Sequence, residues 1–270
     1  MSSWSRIGAS ASSAIFQAVE PTTPYAGWFS NDVAGEWSGV DLAAQAGVEA
    51  LPADFYMNGT VHSGVAAPVS AKVGPLKRVK AQKKIYVTMT IGEGDNVQYC
   101  QRRMRELWDD PRRGEAPANW TVSPLLADIG PGLLSHYQRT ATANDLLVCG
   151  PSGAGYTYPG SWPAADVDAY MRLSGEYMRR TGMDLVYAYN HREDDKWVPF
   201  SEAIGKAYAR YTPVKGIVQS WETGDLLADA VGLRSWSEGS DEWRHAASQG
   251  SDERDTATPG MPGMPAWRAG

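Results

Sequence analysis

The fold class is indicated most strongly by residues 146–159, which read LLVCGPSGAGYTYP. Leu146–Cys149 is a short apolar run typical of a buried strand, and a helical pattern begins near Ala164. The glycines between them allow positive φ angles or a close approach of the backbone to a ligand. Tyr156 and Tyr158 add flat faces that can stack on a ring, and hydroxyls that donate and accept hydrogen bonds. The segment therefore predicts a binding loop between a strand and a helix.

Apolar, β-branched runs alternate with helical patterns along most of the chain. Strands are predicted at 48–53, 85–91, 120–122, 146–149, 184–188 and 216–219. Helices are predicted at 97–108, 124–143 with a break at 130–132, 164–181 and 201–211, and Asp95 or Asn96 is expected to cap the first. Such alternation implies a parallel sheet. The prediction is an α/β fold: a (β/α)-barrel-like (TIM-like) domain whose last elements could be missing, with an open parallel α/β sheet as the alternative.

Polar and aromatic side chains directly follow four of these strands. The groups are Glu93 and Asp95, the tyrosine loop, Tyr189 with Asn190 and His191, and Trp221 with Glu222. In parallel α/β folds the ligand lies at the carboxyl ends of the strands, whether the sheet is closed or open. One end of the sheet is therefore predicted to be an active face.

The heptapeptide GAGYTYP, residues 153–159, resembles the signature of the GxGYxYP family, whose members are classed as glycoside hydrolases. Five further blocks resemble the same domain in the same order: GWF (27–29), GEW (35–37), GEGDNVQ (92–98), NWT (119–121) and WET (221–223). The resemblance covers about residues 23–224. It implies a glycosidase that acts on a carbohydrate and is secreted or periplasmic, although residues 1–20 do not form a clear signal peptide.

Glycoside hydrolysis requires two carboxyl groups, of which one donates a proton and the other acts as nucleophile or base. Glu222, Glu93 and Asp95 are the leading catalytic candidates because they follow strands, and Glu36 is a fourth. Contact with Trp221 would raise the pKa of Glu222 towards that of a proton donor. Glu222 is therefore assigned the acid role, with Glu93 or Asp95 as the second carboxylate. A helix cap for Asp95, a surface loop for Glu93 and pairing with an arginine for Glu36 stay open.

The aromatic residues with a polar group are enriched: the chain has 11 Trp and 13 Tyr but only 4 Phe. This ratio suits a wet aromatic cleft, because Trp and Tyr carry a polar group that needs a partner when buried. The predicted substrate-binding residues are Tyr156, Tyr158, Trp221, Asn190 and Trp28. Packing beneath a lid is the alternative for the two tyrosines.

Composition argues against several classes of protein. The net charge of −6 and the absence of a basic face argue against a nucleic-acid partner. No apolar run is long enough to cross a membrane. Cys100 and Cys149 are expected to be small buried hydrophobes, since two isolated cysteines form no disulfide framework. No cofactor or metal site is predicted, because no Cys or His pair has zinc spacing and the glycine loop lacks a phosphate-binding Gly-Lys-Ser/Thr. The oligomeric state cannot be inferred.

Three regions are predicted along the chain. They are an N-terminal extension at 1–22, the glycoside hydrolase domain at 23–232, and a disordered or aberrant tail at 233–270 that is polar and without period. Two alternatives to a glycosidase stay open: a carbohydrate-binding protein without catalysis, and an inactive truncated fragment.

Overall fold

The computed structural model of the chain describes residues 11–29, 35–72, 82–83, 88–193, 196–219 and 230–231. All of them belong to one compact unit, Met1–Leu233. The predicted division into an extension, a domain at 23–232 and a tail stays a prediction.

Strands and helices alternate through the described part of the chain. The strands are β1 (Pro24–Gly27), β2 (Glu49–Pro52), β3 (Thr90–Ile91), β4 (Ala118–Val122), β5 (Asp145–Cys149), β6 (Leu185–Ala188), β7 (Arg192–Glu193), β8 (Lys196–Trp197), β9 (Gly216–Gln219) and β10 (Ala230–Val231). The helices are α1 (residues 11–16), α2 (Gly35–Gln45), α3 (Gly59–Gly64), α4 (Val97–Gln101), α5 (Arg103–Trp108), α6 (Leu126–Ile129), α7 (Pro131–Thr140), α8 (Val167–Thr181) and α9 (Glu202–Tyr211).

The main sheet has the strand order β10-β9-β6-β5-β4-β3. Neighbouring strands from β3 to β9 pair in parallel, and β10 pairs antiparallel with β9. The five parallel strands curl into a half-barrel. The predicted α/β class is thus confirmed, in a form consistent with both the incomplete TIM-like barrel and the open parallel sheet.

The strand at 49–52 occupies a place that alternation alone does not indicate. β2 pairs in parallel with β1, in a two-stranded sheet separate from the main one. Its link to the main sheet is the loop after β5, because Ala50 and Tyr156 exchange two backbone hydrogen bonds of 2.9 and 2.7 Å. This bridge places β2 beside the loop that follows β5.

Several predicted helix ends are confirmed by their capping geometry. Ser201 accepts a hydrogen bond from the Ile204 N–H at the start of α9, and Gly182 ends α8 with a φ of 67°. The predicted helix 97–108 is interrupted instead at Arg102, whose φ of −124° and ψ of −78° lie outside the helical region. Cys100 and Cys149 are buried and form no disulfide, as expected.

Candidate active site

The loop between β3 and α4 carries Glu93 and Asp95 and is held tightly against β4. The Gly94 N–H donates to Thr121 Oγ1 at 2.9 Å, and the Gly94 carbonyl accepts from the Ser123 N–H at 2.8 Å. A Cβ atom at Gly94 would lie 1.8 Å from the Thr121 carbonyl oxygen, so only glycine allows this approach. The end of β4 therefore sets where the two flanking carboxyl groups point.

Asn96, and not Asp95, caps the helix that follows. Its side-chain oxygen accepts from the Tyr99 N–H at 2.9 Å, which is the usual cap contact to the third helical residue. Of the two predicted capping residues, the structure therefore selects Asn96. The Asp95 carboxyl is left facing the neighbouring pocket.

Asp95 has the most perturbed carboxyl of the site. By surface area the residue is only half-buried, because it lines the pocket, but protein atoms surround its carboxyl group. Burial first, then the charge of Glu93 and to a smaller extent that of Glu36, raise the pKa of Asp95 to about 8, against smaller lowering contributions from backbone hydrogen bonds. Asp95 therefore holds its proton at neutral pH.

Glu36 reaches the same pocket from the first turn of α2. Its Oε1 accepts a hydrogen bond from the Tyr156 hydroxyl at 3.0 Å. Burial and the charge of Glu93 raise the pKa of Glu36, while the bond from Tyr156 lowers it. The predicted alternative of an arginine pair is not the contact seen, since the partner is a tyrosine hydroxyl.

The signature loop itself is buried from Pro151 to Pro159. Tyr156 is 2% exposed and Tyr158 1%. The φ angles of Gly153 (155°) and Gly155 (95°) are ones that residues with side chains rarely adopt. A Cβ atom would also lie 2.4 Å from Ser174 Oγ at Gly153, and 2.6 Å from Glu49 Cγ at Gly155. These glycines are thus required by protein packing, without any ligand.

Hydrogen bonds from three neighbouring elements fix this loop. The Ser152 N–H donates to the Tyr187 carbonyl at 3.1 Å, and Tyr208 donates to the Ser152 carbonyl at 2.5 Å. The Ala154 N–H donates to Ser174 Oγ at 3.1 Å, on α8. Tyr156 is consequently held in place from the backbone, and its ring stacks on Trp28 with centroids 5.8 Å apart and planes 16° apart.

A pocket of about 420 Å³ lies where these parts meet. Five of the nine predicted site residues line it: Trp28, Glu36, Glu93, Asp95 and Tyr156. The structure thus brings three of the four candidate carboxylates together, from the first turn of α2 and the loop after β3, with two of the predicted aromatic side chains beside them.

Two other predicted residues, Tyr158 and Asn190, are not among the described residues that line the pocket. Tyr158 packs behind Tyr156, with the two hydroxyl oxygens 3.5 Å apart. Asn190 is buried and holds two loops together, because it accepts from the Gly160 N–H at 3.0 Å and donates to the Val198 carbonyl at 2.9 Å. Trp221 and Glu222 lie outside the described residues.

The pocket wall also contains residues that sequence reasoning did not assign to the site, among them Asp54, Phe55 and Gln98, and it contains Tyr189, which was named only as one of the residues after the strand at 184–188. Asp54 and Phe55 come directly after β2, so the strand-end rule used elsewhere would have found them. Tyr189 follows β6 and is nearly buried, and burial raises its pKa strongly. Gln98 is the second residue of α4 and the last residue of the block at 92–98, a resemblance that assigns it no role.

Comparisons with known proteins relate the chain to one family. The family model described as "GxGYxYP putative glycoside hydrolase C-terminal domain" matches residues 83–253, which is more than half of the 270 residues.

The chain belongs to this family. A solved structure, described as a putative hydrolase from Bacteroides thetaiotaomicron VPI-5482, is similar to it with a TM-score of 0.70 and 26% sequence identity. That similarity covers 80% of this chain but only 41% of the other, so the chain spans less than half of the length of that relative. No curated protein matches the GxGYxYP chain.

Two further classes of site are absent from the part of the chain that the structure describes. Within those ranges, no cluster of three or more His, Cys, Asp or Glu side chains could hold a metal ion. None of the described helices is long and apolar enough to cross a membrane.

Proposed function

We propose that this protein hydrolyses a glycosidic bond in the pocket between β1, β2 and β3, with Asp95 as the proton donor and Glu36 as the second carboxylate. The observation that carries the proposal is the convergence of three carboxyl groups of unequal environment. Membership of the GxGYxYP family supplies the reaction class.

The division of roles follows from the electrostatics. Two nearby carboxyl groups whose environments push their pKa values apart are suited to act as acid and base. Asp95 has a pKa of about 8 and so retains the proton that a leaving-group oxygen needs. Glu36 receives the Tyr156 hydrogen bond, which stabilises its ionised form and orients it. Glu93 stands exposed at the rim, where it can accept hydrogen bonds from sugar hydroxyls.

Aromatic surface beside the carboxylates supports a sugar as the ligand. Trp28 lines the pocket with its ring stacked on Tyr156, and Phe55 is 66% exposed within the wall. Flat apolar faces next to polar groups match the alternation of C–H faces and hydroxyls on a pyranose ring. Glu222, the acid predicted from sequence, remains a candidate for a further carboxylate of the site.

The decisive variant is Asp95→Asn, tested on two kinds of substrate after a panel of oligosaccharides has shown which one releases sugar. Loss of a general acid should lower turnover of the oligosaccharide roughly 10²–10⁴-fold. Turnover of the matching dinitrophenyl glycoside should fall much less, because that leaving group needs no proton. The wild-type rate should decline as pH rises through about 8, and this limb should disappear in the variant.

Two results would contradict the assignment. Wild-type turnover of the oligosaccharide by Asp95→Asn removes Asp95 from the mechanism. Equal losses on both substrates would indicate a damaged site and not a missing acid, so a thermal melt of the variant serves as the control. Binding of sugars without release by the wild-type protein would favour a non-catalytic carbohydrate-binding protein instead.

A further inference from the structure

The pocket wall is acidic and carries no opposing charge from the residues described. Four carboxyl side chains line it: Glu36, Asp54, Glu93 and Asp95. None of the described lining residues is Lys, Arg or His. The charges that act on Asp95 and Glu36 are themselves carboxylates, each of which raises the pKa of its neighbour. A ligand in this pocket therefore meets carboxyl groups and, among the described lining residues, no cationic side chain.

A second feature, independent of the charges, points to a ligand beside Asp54. Phe55 presents its ring to the pocket with 66% of its surface exposed, although burial would stabilise so large an apolar group. Exposed apolar surface inside a concave pocket is typical of a binding wall. Asp54 precedes it, and its Oδ1 accepts from Gln98 Nε2 at 2.7 Å.

The two residues that follow this pair anchor the segment by hydrogen bonds. Tyr56 donates through its hydroxyl to the Ile129 carbonyl at 2.8 Å. The Met57 N–H donates to Gln101 Oε1 at 3.1 Å, and its carbonyl accepts from Gln101 Nε2 at 2.8 Å. The carboxylate and the ring are thus held in position before a ligand arrives, which reduces the entropy lost on binding.

We propose that the pocket selects a neutral or amine-bearing glycan and rejects glycans with carboxylate, sulfate or phosphate groups, and that Asp54 is a specificity-determining residue. This inference rests on the proposed function. An anionic sugar would approach several carboxylates at once. Repulsion by each carboxylate at contact distance should lower the affinity roughly three- to tenfold, and less at high salt. A protonated amine would gain from the same charges and from the face of Phe55.

The test compares sugars that differ only in charge. Nitrophenyl glycosides of glucose, glucosamine and glucuronic acid, in both anomers, report turnover. Tryptophan fluorescence reports the binding of neutral cello-oligosaccharides, cationic chitosan oligomers and anionic oligogalacturonides. At low salt we expect turnover and binding affinity to be at least tenfold higher for the neutral and cationic sugars than for the anionic ones. This difference should become smaller at high salt.

Two variants assign the effect to the pocket. Asp54→Asn should raise the ratio of affinity for anionic sugars to affinity for neutral sugars three- to tenfold, because one negative charge is removed from the pocket wall. Glu115→Gln changes the net charge equally at an exposed position outside the pocket lining, and should leave the ratio unchanged.

The outcomes separate this inference from the proposed function. Turnover of anionic sugars equal to that of neutral ones overturns the inference while hydrolysis stands. Charge-selective binding without turnover supports the inference while hydrolysis fails. An unchanged ratio in Asp54→Asn, or no binding by any member of the panel, also overturns it.

Discussion

Two loops at the same edge of the half-barrel differ in how their chemistry is used. The signature loop, residues 153–159, is buried, and its polar groups are engaged by the protein itself. The acidic loop, residues 92–96, is fixed through its central glycine but turns its carboxyl groups towards a pocket. The segment most recognisable in the sequence is thus the scaffold, and the segment beside it carries carboxyl groups that line the pocket.

The difference shows what the glycines and tyrosines of the signature do. Gly153 and Gly155 permit tight contact with α8 and β2, and Tyr156 joins Ala50 by backbone hydrogen bonds. Tyr156 reaches the site through its hydroxyl, which donates to Glu36, and through its ring face, which stacks on Trp28. The loop therefore serves the pocket by placing Glu36 and not by enclosing a ligand in its own backbone.

Among the variants that test the scaffold role of the signature loop, Gly155→Ala is expected to have the largest effect on stability. The new Cβ atom would lie 2.6 Å from Glu49 Cγ in a backbone with a φ of 95°. Strain and overpacking together should lower the free energy of unfolding by roughly 3 kcal/mol or more, measured by urea denaturation.

A matched control is Gly205→Ala, in the interior of α9, where nothing lies within 4 Å of the new atom. Alanine should stabilise that helix by roughly 0.5–1 kcal/mol. If Gly155→Ala is as harmless as the control, the signature glycine is not a packing requirement, and the description of the loop as scaffold is wrong.

A smaller effect should come from Glu49, which lies beneath the signature loop. Glu49 is 1% exposed, and its Oε2 has no hydrogen-bond partner among the described residues. Burial raises the pKa of Glu49 to about 7, and Tyr170 is the buried titratable group that interacts with it. Because the folded-state pKa lies above the unfolded value of 4.5, the folded state binds more protons between these values. Stability is therefore lost as pH rises from 4.5 to 7.

Glu49→Gln should remove this loss. The variant should gain stability over the wild type as pH rises from 5 to 8, by roughly 3 kcal/mol at most. Thermal or urea unfolding across that pH range measures the difference between the variant and the wild type. A difference that is the same at pH 5 and pH 8 would mean that Glu49 does not titrate in this range.

The smallest effect on stability, and a diagnostic one on activity, is expected from Tyr156→Phe. Losing the hydrogen bond to Glu36 should cost roughly 1 kcal/mol in unfolding free energy. The pKa of Glu36 should rise further, so the acidic limb of the pH–rate profile should move to higher pH.

Tyr177→Phe is the control for that variant, since its hydroxyl donates to Asp128 at 2.6 Å, and neither residue lines the pocket. The control should leave the pH profile unchanged. An unchanged profile in Tyr156→Phe as well would show that Tyr156 does not position Glu36 for the reaction.

Much of the fold could be predicted because its signals are local. The strand at 216–219, the break predicted at 130–132 and found at Gly130, the C-terminal end of α8 and the ends of α9 agree with turn, cap and period patterns in neighbouring residues. The start of α8 does not, because the helix begins at Val167 and not at 164. The pairing of β2 with β1 could not be predicted from the sequence, because the residues of a strand do not determine which strand will lie next to it.

The site divides in the same way. By itself the sequence determined the α/β class, the acidic loop after β3 and membership of the GxGYxYP family, since these depend on residue type and spacing. Only the tertiary structure decided that Tyr156 bonds Glu36, 120 residues away, and that Asp54 and Phe55 join the same pocket. It also decided the pKa of Asp95, because burial and the charges of Glu93 and Glu36 act through space and not along the chain.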